Sequence, residues 1–277
     1  MRFKLSLNVA DAPNCLLPVN YQYPLSAWIY KTIHEGDHAF ARFLHETGFR
    51  TGGAAYKFFT FSRLQFPHRG FVMQGDRMKL LTDKAELEVS FLAPEAMQHF
   101  VSGLFSKQHF RIGDKQSAVN FRVEKVEAVP LPDFKPAMIY RTLSPVLVSY
   151  KTDEERNAHY FKPDESEYSN LFLNNLKQKS VSAISHGLIQ SFAPGDGEPS
   201  FKLSDGKQRS NLLKIKADTP AETRIRGFMY SFELTAPLLF HKIGYLGGFG
   251  EKNSLGLGCV AAINKKDLTL EHETTEK

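Results

Sequence analysis

Between His38 and Glu46 the chain reads HAFARFLHE. Wound as an α-helix, Phe40, Phe43 and Leu44 fall within an arc of ~100°, while His38, Arg42 and His45 gather on the opposite side. Two imidazoles and a guanidinium on one face suit an anionic substrate with proton transfer near pH 7, although the same face would serve as solvated surface. Tyr30, on the preceding stretch, stands off the stripe of Leu25, Trp28 and Ile29, which leaves its hydroxyl to that site or to water. Lys57 follows Gly52-Gly53 and sits in Tyr56-Lys57-Phe58-Phe59, where a lysine either edges a strand or offers its cation to a phosphate oxygen.

A second constellation lies near the carboxyl end. GYLGGFGEKNSLGLGCV carries Gly244, Gly247, Gly248, Gly250, Gly256 and Gly258 around Glu251-Lys252-Asn253-Ser254. Glycine lets successive backbone N–H groups turn toward an anion. A nucleotide P-loop needs Gly-Lys-Ser/Thr, and Glu251 interrupts it; a dinucleotide fingerprint needs strand, loop, helix, and the order here is reversed. Pro237 to Tyr245 reads as a helix and Leu257 to Ile263 as a strand, so the loop's anion is not expected to be a mononucleotide.

Of 277 residues, 42% are hydrophobic, 23% charged and 12% aromatic, which excludes a disordered chain. Cys15 and Cys259 are the only cysteines, and neither their spacing nor any carboxylate cluster suits a metal, so no metal and no cofactor are expected. No apolar run approaches the ~20 residues of a membrane span, and the alternating start is strand-like; a cytoplasmic protein without membrane contact is expected. Net charge is +5, concentrated in two basic stretches, Arg50 to Lys84 and Lys202 to Arg226, the latter including Arg224 and Arg226. That distribution favours a polyanionic partner. Arg69-Gly70-Phe71-Val72 is a broken fragment of an RNA-recognition strand signature.

These groups need elements to carry them. Met1 to Val9 alternates as a strand, Pro24 opens a helix, and Asp37 to Glu46 forms a second. Extended segments follow at Phe58 to Leu64, Gly70 to Gln74, Met78 to Thr82 and Ala85 to Leu92, then a helix from Pro94 to Phe105 and strands from Phe110 to Val129. Three prolines between Pro130 and Pro136 mark a linker. Beyond it the order recurs: a strand at Met138 to Tyr150, a helix from Glu165 to Ile184, strands at Asn211 to Ala217 and Thr223 to Thr235, the helix near Pro237 and the closing strand. The expected fold is α+β, a tandem of ferredoxin-like βαββαβ domains: residues 1–129, a linker at 130–137, residues 138–265, and a flexible tail at 266–277. Asp153-Glu154-Glu155 reads as a solvated loop.

The glycine loop, the opening MRFKLSLNV with YQYPLSAWIY, and the FLHE helix together resemble the Cas six family, the CRISPR-associated endoribonucleases that cut repeat transcripts into guide RNAs. The resemblance runs over essentially the whole chain. It implies tandem ferredoxin-like domains, metal-independent cleavage leaving a 2′,3′-cyclic phosphate, and a catalytic Tyr-His-Lys set that falls at Tyr30, His45 and Lys57. His34 and His38 stand as alternatives to His45. RNA contacts would come from the loop (Gly244, Gly247, Gly248, Gly250, Lys252, Asn253, Ser254, Gly256, Gly258) and from Arg224, Arg226, Arg42 and His38. The implied partners are CRISPR repeat RNA, as precursor and mature guide, and a guide-RNA effector complex, with monomer and homodimer both open. A rival reading keeps the architecture and drops catalysis, leaving an RNA-binding subunit of such a complex.

Overall fold

The computed structural model describes residues 1–152, 154, 157–190, 198–204, 207–217 and 219–265. The expected tail at 266–277 and part of the acidic stretch at 153–155 lie outside them. In the first half, strand Arg2–Val9 is central because its alternate side chains, Phe3, Leu5, Leu7 and Val9, are all buried. It pairs antiparallel with Lys84–Phe91 on one side and Ala118–Val129 on the other, so Leu5 lies opposite both Leu87 and Val126. Phe59–Phe61 and His109–Gly113 extend the sheet at its two edges. Helices α1 (Gln22–Gly36), α2 (His38–Arg42) and α3 (Pro94–Ser106) accompany this sheet. The α1–α3 contact is close at Gly103, where a Cβ would come within 1.8 Å of the Thr32 carbonyl oxygen.

The second half repeats the plan. Strand Ala137–Thr142 lies between Ser231–Thr235 and Val260–Ile263, with Ser200–Leu203 beyond. Helices α4 (Tyr168–Ser185) and α5 (Leu238–Gly247) follow the first and third of these strands. Leaving aside the extra edge strand His109–Gly113, the strands of each half, numbered within the half, lie in the order 2-3-1-4. That is the ferredoxin-like order, made twice.

Several boundaries differ from the sequence reading. The expected strand at Met138 to Tyr150 stops at Thr142, before Ser144-Pro145, where a proline offers no N–H to a ladder. The stretch Thr223 to Thr235 is two strands of different sheets. Its first part, Thr223–Met229, pairs with Arg209–Ile215 as a separate hairpin, and only Ser231–Thr235 enters the main sheet. The second strand of that sheet is therefore Ser200–Leu203, whose four residues and single lysine made a weak signal.

The halves share one hydrophobic core instead of each closing its own. Arg2 fastens them. Its guanidinium, 1% exposed, donates to the carbonyl oxygens of Tyr245 and Val260, each at 2.6 Å, and stacks 3.7 Å from the Tyr245 ring centre. No helix among the described residues is long and apolar enough to cross a membrane.

Candidate active site

Asp37 starts α2, its carboxylate accepting from the Phe40 N–H at 2.7 Å. The expected helix from Asp37 to Glu46 is not uniform. After Arg42 it widens into a π turn, Phe43–Thr47, closed by the Gly48 N–H donating to the Phe43 carbonyl at 2.7 Å. The extra residue in that turn shifts the faces. Phe43, expected on the apolar side, is 37% exposed, while Leu44 stays fully buried and His45 faces solvent. His38, Arg42 and His45 nonetheless line one shallow groove together with Tyr30 and His34. The His34 and His38 rings stack there at 3.8 Å.

Lys57 reaches His45 by way of a hairpin. Strands Phe49–Thr51 and Ala54–Tyr56 are joined by Gly52-Gly53, both at positive φ, the conformation that a two-residue hairpin turn requires. Phe49 lies opposite Tyr56, so the next residue out on each strand brings Lys57 beside Gly48. The Lys57 ammonium donates to the His45 carbonyl at 2.9 Å. Burial, and secondarily the nearby Arg50 charge, hold its pKa below the ordinary lysine value. Its neighbour Phe58 is buried at φ +50, a strained backbone for an aromatic residue.

Tyr30 is placed by a stripe of α1. Gln22, Ser26 and Tyr30 recur every four residues and all meet the glycine loop. Gln22 donates to the Gly256 carbonyl at 3.0 Å, Ser26 to the Ser254 carbonyl at 2.6 Å, and Tyr30 hydrogen-bonds the Ser254 side chain. Burial pushes the Tyr30 phenol up to about 12 against the pull of that bond. Its ring meets the His45 imidazole edge-on at 5.2 Å.

The loop runs from α5 to the closing strand as expected, and every one of its six glycines is buried. Gly244 lies under the Phe249 ring, Gly256 against Phe61, and Gly258 against the Phe249 carbonyl oxygen, where a Cβ would stand at 1.9 Å. Gly247 and Gly250 also border the open cleft. The Asn253 amide donates to Phe249 and Leu257 carbonyls and its oxygen accepts from Lys179, so that side chain is committed to holding the loop. Lys252, at φ +52, is exposed at the loop's tip.

Sequence reasoning missed Lys179. It is 2% exposed, and its ammonium donates to Gly248 O at 2.6 Å, Gly250 O at 2.5 Å and Asn253 Oδ1 at 2.6 Å. Burial pulls its pKa down to about 7, with Glu251 opposing. The signal was a lysine in the apolar row Phe172, Leu176, Lys179, Ala183 of α4.

Together these elements enclose a cleft of about 700 Å³ bordered by Tyr30, His45, Lys57 and Lys252, with the α4 side chains Asn174, Asn175 and Gln178 on the same cleft. Arg224 and Arg226 are exposed on the separate hairpin and do not border it; Arg224 pairs with Glu222 at 2.9 Å and Arg226 donates to Ser210 at 2.7 Å.

Two ferredoxin-like halves define a fold that known structures share. The fold superposes with a TM-score of 0.77 on a Cas6-related protein from Pyrococcus furiosus, at 24% identity, covering 96% of this chain and 99% of that one. Residues 16–127 match the family description "CRISPR-associated protein Cas6, N-terminal" and residues 128–262 "CRISPR associated protein Cas6, C-terminal". A protein of Methanocaldococcus jannaschii named CRISPR-associated endoribonuclease Cas6 1 is 30% identical over 96% of this chain and 94% of its own length. A solved CRISPR associated protein Cas6 is 29% identical with a TM-score of 0.70, covering 95% and 99%. The chain belongs to the CRISPR-associated Cas6 family.

Proposed function

We propose that this chain is an endoribonuclease that cuts CRISPR repeat RNA to mature guides without a metal, by attack of the RNA's own 2′-hydroxyl. The observation that carries the reading is the convergence of Tyr30, His45 and Lys57, from α1, a π turn and the end of a hairpin, on one cleft beside the glycine loop. The M. jannaschii relative is named as an endoribonuclease, which agrees.

In this reading the 2′-oxygen attacks phosphorus, its proton leaves to a base, the bond to the 5′-oxygen breaks, and that oxygen takes a proton from an acid. A 2′,3′-cyclic phosphate and a 5′-hydroxyl result. Tyr30, held protonated to about 12, can give a proton at neutral pH and not accept one, so it serves the departing oxygen. His45, whose imidazole borders the same cleft, takes the 2′ proton as general base. Lys57 sets positive charge beside the phosphorane. RNA backbone follows the loop rim at Gly247, Gly250 and Lys252, with His38 and Arg42 holding the strand in the adjoining groove. Arg224 and Arg226 contact RNA away from the cut, and a guide-RNA effector complex receives the product.

Repeat RNA carrying one 2′-deoxy nucleotide immediately 5′ of the cut tests the mechanism. Binding without cleavage, together with undiminished cutting of all-ribose RNA in excess EDTA, is the expected result. Cutting of the deoxy substrate, or a 3′-hydroxyl product that needs magnesium, would overturn it. Tight binding with no cutting of any repeat RNA would leave the RNA-binding subunit as the correct reading.

A further inference from the structure

The wall formed by α4 has no role in the chemistry above, and its composition is unlike that of a backbone-binding surface. Leu171, Asn174, Asn175 and Gln178 border the cleft at helical spacing; Lys179 borders it too, with its ammonium bonded to the glycine loop, while Phe172 and Leu176 turn away into the interior. Three carboxamides beside a lysine whose ammonium already donates to three acceptors of the loop make a poor phosphate cradle. Each presents a donor pair and an acceptor in one plane, the pattern that matches a nucleobase edge.

Among the described residues these amides make a single, long side-chain hydrogen bond, the Tyr56 hydroxyl donating to Gln178 Oε1 at 3.4 Å. The Asn175 side-chain oxygen is out of solvent and, among the described residues, has no hydrogen-bond partner. Protein interiors seldom leave such an atom unsatisfied. Asn253, on the same cleft, shows the contrast, its amide bonded within its own loop and its oxygen to Lys179. Two tyrosines stand beside the amides: Tyr56, half-buried, and Tyr150, 54% exposed. Single-stranded RNA is read by splaying a base onto an aromatic ring and bonding its edge.

We propose that Asn174, Asn175 and Gln178, with Tyr56 or Tyr150 as the stacking surface, form a nucleobase subsite that selects a nucleotide bordering the cut. This rests on the endoribonuclease reading, because the subsite and the Tyr30/His45/Lys57 set share one cleft. Substrate choice and reaction chemistry are then carried by different helices.

The test uses the full chain and a pool of repeat RNAs with the nucleotides bordering the cut randomised, products being sequenced after a single turnover. Wild-type protein is expected to favour one base at one bordering position by roughly tenfold or more, in line with ~1–3 kcal/mol for a paired base edge. Asn175→Ala and Gln178→Ala should flatten that preference at the same position while leaving preferences elsewhere intact, and Gln178→Glu should shift it toward a base offering a donor. A purely structural role for α4 would slow all pool members alike. Uniform slowing, or an unchanged base preference in folded variants, overturns the subsite while sparing the endoribonuclease reading; failure of wild-type protein to cut any repeat RNA overturns both.

Discussion

The Lys57 ammonium lies 2.9 Å from the backbone carbonyl of His45, and it reaches that position by crossing Gly48. Cation and imidazole are thus tied through one peptide unit. A Cβ on Gly48 would stand 2.9 Å from Lys57 Nζ and 2.6 Å from the Tyr56 carbonyl oxygen, at a φ of +62°. Gly48→Ala should therefore slow single-turnover cleavage by roughly 10²-fold through misplacement of Lys57, with repeat-RNA affinity by gel shift little changed. A wild-type rate would show that Lys57 need not hold this position.

His45→Ala is expected to slow the chemical step by roughly 10²–10⁴-fold, the range for a removed general acid or base. His34 and His38, stacked in the shallow groove, should affect RNA affinity more than rate. Rates at saturating RNA separate these outcomes; a normal rate for His45→Ala with a large loss for His38→Ala would move the base along the helix.

Lys179→Met leaves two carbonyl oxygens and the Asn253 amide oxygen without their donor. Loss on the order of 2–4 kcal/mol is expected, since buried acceptors are stranded while a costly buried charge is removed. A urea midpoint equal to wild type would mean that the loop holds its shape without the clamp. Reduced cleavage should accompany the loss, because Ser254, which bonds Tyr30, belongs to the same loop.

Tyr30 makes an alkaline prediction. Its folded pKa of about 12 stands above the ordinary 10.0, so its contribution to stability is fully present below pH 10 and drains away as pH rises through the folded value. The slope is about 1.4 kcal/mol per pH unit within that window. Denaturant midpoints of wild type and Tyr30→Phe, compared across it, should converge with rising pH; a constant difference would place the phenol's titration elsewhere.

Much of this was legible in the residues. Alternation in Met1 to Val9, proline at the first position of α3, and glycine before the last strand are local signals, and local signals place elements well. Strand Ser200–Leu203 and the detached hairpin were not, because sheet membership depends on partners far along the chain. Tyr30, His45 and Lys57 could be named, yet nothing in their spacing shows that Gly52-Gly53 folds the intervening chain back on itself. The glycine loop was read for its openness to an anion. In the structure most of its glycines answer packing demands, such as Phe61 lying where a Gly256 side chain would be and Leu147 O standing 2.4 Å from a Cβ on Gly250.

The repeated strand order has a consequence of its own. Helices α1 and α4 each follow the first strand of a half, so they hold equivalent places in the two halves, and both border the same cleft. Helix α1 brings Tyr30 to that cleft and α4 brings the amides. One strand order, laid down twice, thus supplies two helices of different chemistry to a single cleft, and a substitution on one wall leaves the side chains of the other in place.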